Sequence, residues 1–260
     1  MRIDRVIFGW DGAGEFGDYL ALNARAYARL GIRSTVVYCG DQPLNQPPGM
    51  DAIHVQVPLG IGTKPPRNWV PTIALLWGAC QYPGEVVMTS GLDQVPLSRR
   101  FIDATSIIRA DLFVGFAGSR CYDDHGEVFG CNYYPSTHLV ATSEVFQRIL
   151  GFSDWDRALE TVRRSGVKVM WPDIADGWWG IDEAFFSRKL FEAEIAGRVT
   201  SSESDPGWWE DWHNRRLGRS WPPGHPERIL QGEHTELHGS RPIRPEERVY
   251  AETFINFRLP

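Results

Sequence analysis

The stretch VVMTSGLDQVPLSRRF, residues 86 to 101, decides how the chain is read. Val86, Val87 and Met88 have the continuous apolar character of a strand covered on both faces, the kind found in parallel sheets. That run leaves the core through Ser90 and Gly91, presents one carboxylate at Asp93, and turns at once through Pro96. In an open α/β sheet, ligands bind outside the carboxyl ends of the strands. An acid delivered there by a buried strand therefore marks where a ligand is expected, and the flanking sequence has to say which.

Working outward, strands and helices alternate. Residues 5–9 read as a strand, and Asp18 to Leu30 as a helix stopped by Gly31. Residues 35–38 and 53–57 read as two further strands, and a helix runs from Asn68 to Ala79 before the strand 85–89 that carries Asp93. This alternation predicts an α/β fold with a mainly parallel, helix-covered central sheet. Further on, residues 112–116 and 167–170 read as short strands. Thr142 and Ser143 cap a helix to Leu150, and helices are expected over 155–164 and from Asp182 to about Glu194. Beyond Gly197 the chain turns loop-rich, with Pro206, Pro222, Pro223 and Pro226, and is expected to close in a tail. No repeat or low-complexity linker divides the 260 residues, so one domain is expected, with residues 1–100 as a nucleotide-binding half and 101–260 as an acceptor-binding half.

Bulk properties narrow the function. The chain is 42% hydrophobic and 23% charged, ordinary for a globular protein with a sizeable core. Its formal charge of −6 disfavours broad adhesion to nucleic acid or anionic membrane. No signal-peptide pattern and no membrane span is read, and Cys39, Cys80, Cys121 and Cys131 form no CxxC pair, so a cytoplasmic protein with reduced thiols is expected. The glycine-rich run from Gly9 to Gly17 has neither a dinucleotide fingerprint spacing nor a Walker lysine. Of 11 Trp, seven lie between Trp171 and Trp221, including the pair 178–179 and the run WWEDW at 208–212. Flat amphipathic rings among Gly, Pro and charges suit stacking on sugar or base faces.

Three segments, in order, resemble nucleotide-sugar glycosyltransferases of the GT-A fold: VVMTSGLDQVPLSRRF, then Trp179-Gly180-Ile181-Asp182-Glu183, then Glu236-Leu237-His238-Gly239-Ser240-Arg241-Pro242. The likeness spans roughly residues 5 to 245. It implies a GT-A-like single domain that moves a sugar from a nucleotide-sugar donor, expected to be UDP-linked, to a hydroxyl of a carbohydrate or other acceptor. It also implies Mn2+ or Mg2+ held by Asp93 and His238, with His234 a rival ligand. Such a cation, bound by hard oxygen and an imidazole, would offset charge on the departing diphosphate. The family's first acid of Asp-x-Asp is replaced here by Gly91, which lowers the negative charge that recruits a metal.

Within this resemblance Asp182 is expected as the base that takes the acceptor proton, with Glu183 orienting it or holding a sugar hydroxyl. Both also suit the acidic first turn of a helix. Gly9, Trp10 and Asp11, with the turn at Cys39 to Asp41, are expected at the nucleotide. Lys64, Arg67 and Arg241, with Arg216 and Arg219, are the cations expected to meet the diphosphate. Tyr133, Tyr134 and the segment to His138 are expected to line the acceptor pocket. The competing reading is a non-catalytic nucleotide-sugar or carbohydrate-binding protein with a degenerate Asp-x-Asp.

Overall fold

The computed structural model describes residues 2–58, 69–99, 113–115, 134–167, 180–193, 199–200, 217–218 and 226–257. In chain order the strands are β1 (Arg5–Trp10), β2 (Arg33–Tyr38), β3 (Met50–His54), β4 (Val86–Thr89), β5 (Gln94–Pro96), β6 (Phe113–Gly115), β7 (Leu139–Thr142), β8 (Val199–Thr200), β9 (Leu217–Gly218) and β10 (Glu236–His238). The helices are α1 (Gly17–Leu30), α2 (Trp69–Ala79), α3 (Ser143–Leu150), α4 (Trp155–Arg164), α5 (Ile181–Glu192), α6 (Pro226–Leu230) and α7 (Pro245–Asn256).

The main sheet has the order β3-β2-β1-β4-β7-β6-β8. Four of its six pairings are parallel, and β7 runs antiparallel to both β4 and β6. The expected mainly parallel, helix-covered sheet is therefore what forms. Strand side chains alternate between faces, and β1 shows the consequence. Val6 and Phe8 pack with α1 and α7, whereas Ile7 packs with α2 to α5 on the other face. Both faces are buried, so the alternation of burial that marks a half-exposed strand is missing from the sequence.

Close approach of α2 to the sheet depends on two residues without side chains. A Cβ on Gly9 would stand 1.8 Å from the Pro71 carbonyl oxygen, and one on Gly78 would meet Val37 at 2.5 Å and Ile7 at 2.8 Å. Capping fixes the helix ends. Gly31 closes α1 in the left-handed conformation, Thr142 caps α3, and Asp154 caps α4 by accepting the Arg157 N–H.

The structure departs from the expected elements in several places, among them the unexpected strands β7 and β8 and helix α6. The third strand lies at 50–54 instead of 53–57, because its parallel register on β2 pairs Tyr38 with His54. The closing segment is a helix, α7, whose Tyr250, Ala251 and Phe254 are buried in the core beside α1. A second sheet, β5-β10-β9, was not anticipated. The strand expected at 167–170 has residues 168–170 outside the described residues. Among the described residues no helix is long and apolar enough to cross a membrane, and Cys39 and Cys80 are buried, while Cys121 and Cys131 lie outside them.

Candidate functional site

Asp93 arrives where the sequence places it, beyond the carboxyl end of the central strand β4. The Ser90 N–H donates to the Ile7 carbonyl and holds the chain to β1 for one more residue. Asn23 of α1 then donates to the Leu92 carbonyl at 2.7 Å, and the Gly91 N–H donates to the Gln94 side-chain oxygen at 2.8 Å. After this turn β5 pairs antiparallel with β10, placing His238 opposite Gln94. The Gly239 N–H donates to the Asp93 carbonyl at 2.8 Å, so the small second sheet sets a loop from the end of the chain on the Asp93 turn.

That loop brings three of the singled-out residues together, in a pairing the sequence did not suggest. Arg241, 148 residues further along, donates from Nε at 2.9 Å and from Nη2 at 2.6 Å, both to Asp93 Oδ2. His238 Nε2 lies 3.6 Å from the same oxygen. Asp93 is only 3% exposed. Burial by itself would raise its carboxyl, but hydrogen bonding and charge from His238 and the charge of Arg241 outweigh it and lower the pKa to about 2. The expected rival, His234, is buried two residues before β10.

Three residues that the sequence reading missed hold this loop. Phe16, in the glycine-rich run just before α1, lies under the Arg241 guanidinium at 4.5 Å from the ring centroid. Tyr19 donates to the Ser240 carbonyl, and its hydroxyl fills the space a Cβ on Gly239 would need. Glu247, in the first turn of α7, is fully buried and accepts from the Ser240 N–H and hydroxyl and from the Arg244 backbone and guanidinium. The signal for it was present: Pro245 followed by two acids is a helix start.

A divalent metal fits these residues poorly. Among the described residues no group of three or more His, Cys, Asp or Glu is gathered as a metal would need. Asp93 and His238 are near each other, but the oxygen they would share already receives two donors of a guanidinium. A first acid at position 91 has no ready space either. Its Cβ would stand 2.9 Å from the Gln94 oxygen and 3.0 Å from Asp93 Oδ1. Asp93 and His238 are thus adjacent, with the Arg241 guanidinium on the oxygen they would share.

At the end of β1, Trp10 and Asp11 lie half-buried beside the Tyr38 to Gly40 turn of β2, as expected for strand ends. Asp11 accepts the Ala13 N–H at 2.9 Å, Trp10 Nε1 donates to the Ala13 carbonyl at 3.1 Å, and the Trp10 and Tyr38 rings are 5.5 Å apart. At Gly9 the absence of a side chain is accounted for by the close approach of α2. Lys64, Arg67, Arg216, Arg219, Tyr133 and the Trp pairs at 178–179 and 208–212 lie outside the described residues.

Asp182 and Glu183 open α5, as their spacing predicts. Asp182 is 3% exposed, whereas Glu183 is half-buried. Burial raises the Asp182 pKa, against hydrogen bonds from the Ser136 and Thr72 side chains and from the helix-end N–H groups. The same 134–138 segment continues to His138, whose Nε2 is 3.0 Å from Glu236 Oε2 of β10, both groups being buried. His138 has a φ of 61, unusual for a residue with a side chain. Segment 134–138 therefore joins α5 to β10, and through β10 to the Asp93 loop.

No protein-family model matches this chain, and no curated protein matches it by sequence. Solved structures do match. The galactosyltransferase LgtC, in complex with donor and acceptor sugar analogs, superposes with a TM-score of 0.51 at 12% identity, over 97% of this chain and 95% of that one. An active-site mutant of LgtC gives a TM-score of 0.53 at 12% identity, over 96% and 95%. The glycosyltransferase GlyE of Streptococcus pneumoniae gives 0.45 at 10% identity, over 100% of this chain and 62% of that one. The LgtC matches show a shared architecture: this chain has a glycosyltransferase-like α/β fold of the GT-A type.

Proposed function

We propose that this protein is a glycosyltransferase that moves a sugar from a nucleotide-sugar donor, UDP-linked, to a hydroxyl of a carbohydrate or similar acceptor. One observation carries the reading: in a GT-A-type fold, Arg241, His238 and Asp93 converge at the carboxyl end of β4. That end of an open α/β sheet is where a ligand binds. The diphosphate lies against Arg241, whose planar fork suits phosphate oxygens. The nucleoside lies toward Trp10 and Asp11 at the neighbouring strand end. Residues 1–260 act as one domain, with the donor half at 1–100 completed by the β10 loop from the second half.

In the transfer step the acceptor oxygen bonds to the anomeric carbon while the bond from that carbon to the diphosphate oxygen breaks. The electron pair leaves with the diphosphate, where the Arg241 charge offsets it. The acceptor proton passes to Asp182, whose raised pKa suits a proton acceptor. Glu183, half-buried beside it, holds a sugar hydroxyl. A single displacement of this kind inverts the anomeric configuration. Mn2+ or Mg2+, where bound, would neutralise leaving-group charge, but the residues around Asp93 supply that neutralisation from Arg241, and no step here runs through a metal.

A thermal-shift screen of nucleotide sugars, followed by chromatography of donor turnover with and without simple glycosides, tests the proposal. A UDP-sugar should raise the melting temperature, since ligands that bind only the native state stabilise it. Turnover should follow. Binding without turnover under any acceptor would make the chain a nucleotide-sugar-binding protein instead.

A further inference from the structure

We propose that Arg241, seated between Asp93 and the Phe16 ring, is the resident cation of this site, and that nucleoside diphosphates bind here without a divalent metal. The inference rests on the donor reading above and deepens it.

Three independent features point this way. First, Asp93 Oδ2 receives both Nε and Nη2 of Arg241 at 2.9 and 2.6 Å. A metal on that oxygen would sit about 2.1 Å from it, in contact with a guanidinium of like sign. With one carboxylate and one guanidinium, the pair is already neutral. Second, position 91 is glycine, and the space for its side chain is closed by Gln94, whose amide oxygen accepts the Gly91 N–H. A side chain at 91 would have to displace Gln94, so the turn as it stands holds no second carboxylate to recruit a dication. Third, the guanidinium is held on its flat side. The Phe16 ring centroid is 4.5 Å from Arg241 Cζ, and a ring face under a guanidinium favours the cation electrostatically.

Held on two sides, Arg241 still faces outward. Its side chain keeps 36% of its surface exposed, and only two of its five donors are on Asp93. It is thus fixed in direction and able to receive phosphate oxygens, which is the role a metal plays elsewhere. Phe16 is a positioning residue in this arrangement. It comes from the glycine-rich loop after β1, so the loop that approaches the nucleoside also steadies the cation for the diphosphate.

Calorimetric titration of the full chain with UDP, with GDP, ADP and CDP run beside it, tests this in EDTA and again in Mn2+. The expected result is the same UDP affinity in both. Arg241→Gln should weaken UDP roughly 10- to 100-fold, the loss of charged hydrogen bonds, and leave uridine unchanged. Phe16→Leu should weaken UDP about 3- to 10-fold with uridine again unchanged, and Phe16→Tyr should restore it. Binding in Mn2+ but not in EDTA overturns the inference while leaving the donor reading intact, and needs no variant. Equal affinity for UDP in Arg241→Gln and wild type also overturns it. Equal losses of UDP and uridine in Phe16→Leu would reduce Phe16 to packing and remove it from the cation's seat. Failure of every nucleoside diphosphate in both buffers would instead remove the donor reading itself.

Discussion

Replacing Gly91 with Asp restores the acid that the family pattern expects, and the structure says what this should cost. The new Cβ would stand 2.9 Å from Gln94 Oε1, 3.2 Å from Gln94 Cδ and 3.0 Å from Asp93 Oδ1. Gln94 is the flexible partner, so it should move. In moving it gives up the hydrogen bond from the Gly91 N–H, worth about 1 kcal/mol, and leaves that donor to find another partner. The new carboxylate also lies beside the nearly buried Asp93, adding like-charge repulsion of about 1–2 kcal/mol. A total loss of about 2–3 kcal/mol follows, which at a urea slope of about 2–3 kcal/mol/M moves the midpoint down by about 1 M. Gly91→Ala is the control, since it carries the contact without the charge and should lose only the smaller part.

Manganese separates the two variants further. Two carboxylates at 91 and 93 make a site that the wild-type chain lacks, so Mn2+ should stabilise Gly91→Asp. At about a hundredfold excess over its dissociation constant the gain is about 2.7 kcal/mol. Wild type and Gly91→Ala should not respond. The measurement is urea unfolding followed by tryptophan fluorescence, in EDTA and in Mn2+. An unchanged midpoint for Gly91→Asp in EDTA would refute the steric argument. A Mn2+ shift in wild type equal to that in the variant would refute the argument that Arg241 has taken the cation's place.

Gly9→Ala should melt far below wild type, by about 3 kcal/mol or more in stability, because a Cβ 1.8 Å from the Pro71 carbonyl forces β1 and α2 apart; a wild-type melting curve would show that the approach is not so close. Glu247→Gln should lose about 2–3 kcal/mol and weaken UDP binding, since the carboxylate ties Ser240 and Arg244 on either side of Arg241; full affinity would mean the loop holds its shape without it. Asp182→Asn should slow transfer by about 10²- to 10⁴-fold with donor affinity kept, and Glu183→Gln by less; near-normal turnover would return Asp182 to a tie between Thr72 and Ser136. Because burial raises the folded-state pKa of Asp182, wild-type stability relative to Asp182→Asn should fall as pH rises from about 4, the unfolded value, through the raised one; urea midpoints at stepped pH read this, and a constant difference would refute it.

How far the sequence could be read depends on how local the cause was. Apart from β3, whose bounds are set by its pairing with β2, the strands and helices from Arg5 to Thr89 follow from apolar runs and end signals such as Gly31, which act within a few residues. Asp93 was legible for the same reason, as the acid at the end of a buried run. His238 and Arg241 were picked out through resemblance, and no local pattern could have placed them, because β5, β9 and β10 are two or three residues long and carry no periodicity. What places them is a pairing across the chain, His238 opposite Gln94. Phe16 was hidden for a related reason: a phenylalanine in a glycine-rich loop announces nothing until a guanidinium from residue 241 lies on its face.

The same contrast bears on what the site can do. The local signals built a scaffold whose strand ends would serve many ligands. Its chemical character comes from contacts made at long range. Asp93 is a strand-end acid by local sequence, but with His238 beside it and Arg241 on Oδ2 its pKa drops to about 2, and it keeps its charge in a nearly buried place. Removing Arg241 would leave a carboxylate with little solvent, a loss of about 2–3 kcal/mol, below that of a fully buried pair because the guanidinium is partly in water. Only the Asp93 side is deeply buried, so Arg241→Gln should be the more damaging of the two to stability: it strands a carboxylate that is 3% exposed, whereas Asp93→Asn leaves a cation with a third of its side chain already in water. Equal unfolding midpoints for the two variants would show that the burial of Asp93 is shared by its partner, and that Arg241 faces the ligand less openly than its exposure implies.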